Sequence, residues 1–77
     1  MTQVVVNGAA LMTIRIQQGK SQRALAREVG ISSGYLSDVE AEKKIPSPGV
    51  AKRLADALGC PMAAFYRVTE RPAHAAS

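Results

Sequence analysis

The sequence predicts an all-α domain, a compact five-helix bundle, and three observations carry that prediction. Apolar residues recur at helical spacing, most clearly Val50, Leu54 and Leu58 at i, i+4 and i+8 with Ala51 and Ala55 beside them. Serines that can cap helix starts and glycines that can end them divide the chain into pieces of helical length. Aromatics make up only 4% of the residues, without tryptophan, while alanine is abundant; small side chains suit closely packed helices better than a sheet sandwich.

The elements follow in order. Residues 1–7, MTQVVVN, are β-branched and short. A lone strand needs a pairing partner that the chain does not obviously provide, so they are expected to form an extended arm, packed on the domain or reaching toward DNA or another chain. Residues 8–18 form the first helix, with Leu11 and Ile14 inward, Arg15 and Gln18 more exposed, and Gly19 at its end. Ser21 caps a second helix that runs to Val29, and Leu25, Ala26 and Val29 give it an apolar stripe. Gly30 stops it, where a left-handed residue costs least without a β-carbon. Ser32 caps a third helix over 33–41, whose Leu36 and Val39 point back at the second.

Pro46 and Pro48 forbid that helix from continuing, Ser47 caps the fourth, and Pro48 is its first residue, where a missing N–H costs nothing. Gly59 ends the fourth helix. A short fifth helix over about 61–66 offers Met62 and Phe65 as a plug for the core, and Cys60 fills the gap between the two. RVTERPAHAAS then reads as a frayed tail. The organisation expected is an arm (1–7), one domain (8–68) and a flexible tail (69–77).

Two short helices joined by a glycine turn, as in residues 21–40, form a helix-turn-helix, whose second helix can enter a DNA major groove. The charge agrees. Ten Lys and Arg against six Asp and Glu leave a formal net charge of +4. The cations cluster: Arg15, Lys20, Arg23 and Arg27 follow one another without an acid between them, as do Lys43, Lys44, Lys52 and Arg53. A basic strip on a small domain fits a polyanion. Arg23, Arg27, Lys43, Lys44 and Lys52 are the candidates for the DNA backbone, Lys43 and Lys44 foremost because they directly follow the third helix. The helix starts near Gln22 and Ser47 can also aim backbone N–H groups at phosphates.

Other functions find little support. At 77 residues the chain buries only about 60 to 65% of its unfolded surface, which leaves little room for an enclosed substrate pocket. A single Cys60 rules out an internal disulfide, and with His74 in the tail it assembles no convincing nucleophile or metal site. No phosphate-binding glycine loop, membrane-length apolar run or secretory leader is present, so the expectation is a soluble intracellular protein that is not an enzyme and needs no cofactor or metal.

Taken together, the Gly-x-Ser-Gln start at 19–22, Leu25-Ala26, Gly30-Ile31-Ser32, Tyr35-Leu36-Ser37, Glu40, Pro46-Ser47 and Leu54-Ala55-x-Ala57-Leu58-Gly59 resemble the helix-turn-helix domains of phage repressors and the xenobiotic-response-element (Cro/CI-type) family of bacterial regulators. The resemblance covers about 10–66 and implies a lambda-repressor-like DNA-binding domain. It implies that Ser33, Gly34, Ser37 and Asp38 face base edges, and that Tyr35 adds a backbone or thymine-methyl contact. It places Gln22 on a phosphate or as a buttress of the recognition helix, and Ser32 is counted with Gln22, Arg23, Lys43 and Lys44 among the DNA-backbone contacts. It also implies a structural ion pair between Arg15 and Glu40.

Two departures stand out. Relatives place a glycine just after the recognition helix, where this chain has Glu42. A non-glycine resists a left-handed backbone, so the third helix is expected to continue further or to end differently. That helix also lacks Arg, Gln and Asn, the best bidentate base readers. Asp38 repels phosphate yet can accept from a cytosine amino group. Base discrimination is therefore expected to be modest, or to rest on shape and water.

The function expected is a sequence-preferring transcriptional regulator, a repressor or a phage or mobile-element control protein. Double-stranded DNA is its partner, and a homodimer forms before or upon binding, because one module covers a short footprint. Its place would be the cytoplasm of a bacterial or phage-infected cell, at the nucleoid. The alternative, motivated by the apolar arm and the thin recognition helix, is a protein-interaction module: an antitoxin-like or polymerase- or repressor-binding adaptor.

Overall fold

Four helices and a two-stranded antiparallel sheet make up the computed structural model, which describes residues 2–70. In chain order they are β1 (Thr2–Val6), α1 (Gly8–Gln17), α2 (Gln22–Val29), α3 (Ser33–Glu40), α4 (Pro48–Leu58), a single 3₁₀ turn at Met62–Ala64, and β2 (Tyr66–Glu70).

Each helix starts where a polar side chain can take an orphan N–H. Asn7 Oδ1 accepts from the Ala10 N–H, and the hydroxyls of Ser21, Ser32 and Ser47 accept from Ala24, Tyr35 and Val50. Each such cap is worth about 0.5–2 kcal/mol. Gly30 and Gly59 close α2 and α4 in the left-handed conformation, at φ 78° and 64°. Leu11, Leu25, Leu36, Val39, Leu54 and Phe65 are fully buried between the helices. Pro46 joins them from the α3–α4 connection.

The expected fifth helix is absent. Pro61 supplies no side-chain cap, the 3₁₀ turn ends after three residues, and the next stretch is extended. Phe65 still plugs the core, as its spacing implies, with Met62 half-buried beside it. Tyr66–Glu70 pairs with Thr2–Val6 in the register Val4↔Val68, Val5↔Arg67 and Val6↔Tyr66. The Asn7 N–H donates to the Phe65 carbonyl oxygen at 2.8 Å and carries the pairing up to the start of α1. The N-terminal stretch is thus a paired strand, and residues 67–70 of the stretch read as a frayed tail are its partner. The remainder of that tail, 71–77, lies outside the described residues. Because of the alternation along the strands, Tyr66 is buried and Val6 half-buried on one face, while Val5 and Arg67 are exposed.

α3 ends at Glu40 in a left-handed turn although no glycine is present. Ala41 is the cap residue, and the N–H groups of Glu42 and Lys43 donate back to the carbonyls of Val39 and Asp38, at 3.0 and 2.8 Å. This is a Schellman closure with Glu42, at φ 61°, in the position that usually holds glycine. The helix therefore does not continue as Glu42 suggests. The reason lies across the fold: Glu42 Oε2 accepts from the Gly8 N–H at 2.9 Å, one of the orphan donors at the start of α1.

Candidate nucleic-acid interface

α2 and α3 are held as a rigid pair by the turn between them. The Ile31 N–H reaches the Ala26 carbonyl at 2.9 Å, with Gly30 taking the left-handed step. Ala26 is only 2% exposed, so its small side chain lets the elements around it pack closely.

Beneath α3 lies a closed polar cluster. Arg15 Nε and Nη2 donate to the two carboxylate oxygens of Glu40, at 2.7 and 3.1 Å, and Arg15 Nη1 donates to the Lys20 carbonyl at 2.8 Å. Gln22 Nε2 adds a donation to Glu40 Oε1 at 2.9 Å. The pair is bidentate, and both side chains are almost wholly removed from solvent, 10% and 3% exposed. Arg15 is thus not on the outer side of α1, where its spacing alone puts it. Its guanidinium turns inward because Glu40 and a backbone carbonyl satisfy its donors there. Gln22 braces α3, an amide N–H donating to Glu40.

Above the cluster, α3 turns a polar face outward. Ser33, Gly34 and Ser37 are exposed, and Tyr35 and Asp38 are half-buried at its edge. The base-facing candidates thus share one surface, opposite Leu36, Val39 and Glu40. Ser32 lies at the start of that surface, but its hydroxyl is occupied by the Tyr35 N–H.

The five cations expected at the DNA backbone fall into two groups. Arg23, Arg27 and Lys43 are exposed and form no ion pair among the described residues. Lys44 and Lys52 are engaged: Lys44 Nζ lies 3.5 Å from Asp38 Oδ2 and 5.5 Å from the Tyr35 ring centroid, and Lys52 Nζ lies 3.1 Å from Asp56 Oδ1.

Three structural side chains escape a reading by sequence alone. Lys20 Nζ joins Glu28 at 3.0 Å and the Ala57 carbonyl at 2.9 Å, linking α2 to α4. Gln18 Nε2 reaches the Leu58 carbonyl at 2.6 Å. Glu42 ties the end of α3 to the start of α1. Glu28 apart, none of these partners stands at a helical interval from its donor, and Lys20 itself precedes α2, so periodicity carries no signal for them. Cys60 is half-buried against the core, and burial pushes its thiol up from its ordinary value. Among the described residues no group of three or more His, Cys, Asp or Glu could hold a metal ion.

A short helix locked against a second by a glycine turn, with a polar outer face, defines a helix-turn-helix domain. The chain belongs to the helix-turn-helix family, in its xenobiotic-response-element or Cro/CI type: the family's sequence model matches residues 11–65. Its relatives include the HTH-type transcriptional regulator PuuR of Escherichia coli, 32% identical over 65 residues, which are 84% of this chain and 35% of PuuR. The chain thus spans about a third of that regulator's length. Among solved structures, the clp gene regulator ClgR of Corynebacterium glutamicum is 38% identical, with a TM-score of 0.70 over 73% of this chain and 60% of that one. The restriction-modification controller protein C.AhdI of Aeromonas hydrophila is 30% identical, with a TM-score of 0.71 over 74% and 86% of the two chains.

Proposed function

We propose that this chain is a sequence-preferring DNA-binding transcriptional regulator of the repressor or phage and mobile-element control type. α3 lies in the major groove, with Ser33, Gly34, Tyr35, Ser37 and Asp38 toward the base edges. Arg23, Arg27 and Lys43 take the backbone phosphates, joined by the N–H groups at the start of α2 beside Gln22. The observation that carries this reading is the outward polar face of α3, in a domain whose Arg23, Arg27 and Lys43 are exposed and engaged by no carboxylate of the described residues. The regulator names of PuuR, ClgR and C.AhdI support it.

One module spans a short site, so two copies are expected on a pseudo-palindrome, about 34–36 Å between half-site centres. The domain reads DNA rather than transforming a substrate. It works at the nucleoid, in the cytoplasm of a bacterial or phage-infected cell; no helix of the described residues is long and apolar enough to cross a membrane.

A salt titration on duplex fragments of the source genome tests the reading. Each phosphate neutralised contributes about −0.9 to the slope of log K against log salt, so three cations give about −2.7 per copy. Absence of salt-dependent binding to every fragment overturns it. A protein-interaction module is the second reading, favoured by the exposed apolar side chains Val5, Ile45 and Val68. A partner captured without DNA, by Lys43→Ala as well as by the wild type, would establish it.

A further inference from the structure

The left-handed turn at Glu42 folds the following residues back over α3. Asp38 receives them twice: its carbonyl accepts from the N–H groups of Lys43 and Lys44, at 2.8 and 3.3 Å, and its carboxylate faces the Lys44 ammonium at 3.5 Å. On its other side the ammonium lies 5.5 Å from the Tyr35 ring centroid, within range of a cation–π contact. Lys44 is therefore held to one spot on the outward face of the helix by its backbone, a carboxylate and a ring. The i to i+6 relation has no helical periodicity behind it; the turn alone creates it.

An isolated carboxylate on a helix entering a groove would be repelled by both phosphate strands. An ammonium at ion-pair distance cancels that repulsion, yet its nearest approach, 3.5 Å to Oδ2, leaves room on the carboxylate for a further donor. An ionised carboxylate accepts hydrogen bonds and donates none, so Oδ1 seeks a donor. In the major groove cytosine offers its N4 amino group. Adenine sets its amino group beside the N7 acceptor, which opposes a carboxylate.

We propose that Asp38 and Lys44 act as one reading unit that selects a cytosine, with Lys44 the counter-ion of Asp38 and not a phosphate contact. The proposal rests on the DNA-binding reading above and assigns a specificity role within it.

The test is selection from a randomised duplex library, with salt titrations on the selected site, for wild type, Asp38→Asn, Lys44→Ala and the double variant. Both side chains are substantially exposed, 38% and 54%, and the turn is closed by backbone groups, so the variants should melt like the wild type. Wild type should require cytosine at one position of each half-site. Asp38→Asn should change that base to adenine, whose N6 and N7 suit an amide. Lys44→Ala should keep cytosine and weaken binding about tenfold by baring the carboxylate, a loss that salt screens. In the Asp38→Asn background the same change should cost less than about threefold.

The same selected sequence for wild type and Asp38→Asn overturns the proposal. So do additive losses in the double variant. A wild type that binds no duplex in a salt-dependent way fails earlier, and that result overturns the DNA reading itself.

Discussion

Glu42 sets its carboxylate 2.9 Å from the backbone N–H of Gly8, 34 residues away, and so joins the end of the recognition helix to the start of α1. The two residues are matched from both sides. A β-carbon at position 8 would overlap the Glu40 carbonyl oxygen, so only glycine lets α1 start this close to the end of α3. Glu42 accepts a left-handed backbone, a cost of about 1–2 kcal/mol for a residue with a β-carbon. Its carboxylate returns this by satisfying an N–H that the helix leaves without a partner.

The balance predicts an order of stabilities. Glu42→Ala keeps the backbone cost and loses the hydrogen bond. Glu42→Gly loses the bond but removes the cost, so it should be about 1 kcal/mol more stable than Glu42→Ala in urea unfolding. Gly8→Ala should exceed either loss, because the obstacle is backbone that cannot turn aside. Equal stability of the Ala and Gly variants at 42 would contradict a left-handed residue there.

The Arg15–Glu40 pair predicts a strongly non-additive cycle. Removing one partner strands the other charge in a nearly dry site, at about 3–5 kcal/mol. Glu40→Ala also leaves the Gln22 amide unpaired. A double replacement by apolar residues of similar volume, Arg15→Met with Glu40→Leu, should recover most of the loss. Denaturant midpoints of the two single variants and the double variant measure this. A Glu40→Ala loss below about 1 kcal/mol would mean that the pair behaves as surface charges.

What could be read from sequence divides along a physical line. Helix starts and stops are local, because Ser21, Ser32 and Ser47 cap N–H groups three residues on and Gly30 ends α2 by its own backbone freedom. The four helices were accordingly readable to within about a residue. The sheet was not, since β1 finds β2 across the whole domain and no local pattern announces a partner some sixty residues away. A short stretch such as RVTE fits a frayed end as well as a strand until TQVVV lies beside it. The site shows the same division. Its outward residues were implied by the family resemblance, whereas the engagement of Gln22, Lys44 and Glu42 depends on where other elements come to rest.

The paired ribbon makes its own prediction. Val6 lies opposite Tyr66 on the face toward the core, while Val5 lies opposite Arg67 on the exposed face. Val6→Ala should therefore cost about 1 kcal/mol, and Val5→Ala should remain within about 0.5 kcal/mol of wild type. Thermal unfolding of the two variants compares them directly. Identical melting would mean that the segment is an arm without a preferred face.

Cations of the same charge should differ in their effect on DNA binding according to their partners in the free protein. Lys52 is joined to Asp56 at 3.1 Å, one turn along α4, so each phosphate it approached would also approach a carboxylate. Arg23, Arg27 and Lys43 have no acidic partner among the described residues. Replacing any of these three with Ala should weaken binding to all duplexes alike and lower the salt slope by about 0.9 per site. Lys52→Ala should leave the slope within about 0.3 of wild type, and Asp56→Ala in its place should steepen it by freeing the lysine. Anisotropy titrations at a series of salt concentrations read all five variants. A Lys52→Ala slope as low as that of Lys43→Ala would show that the exposed i, i+4 pair opens on DNA, and that pairing in the free domain does not decide which cations reach phosphate.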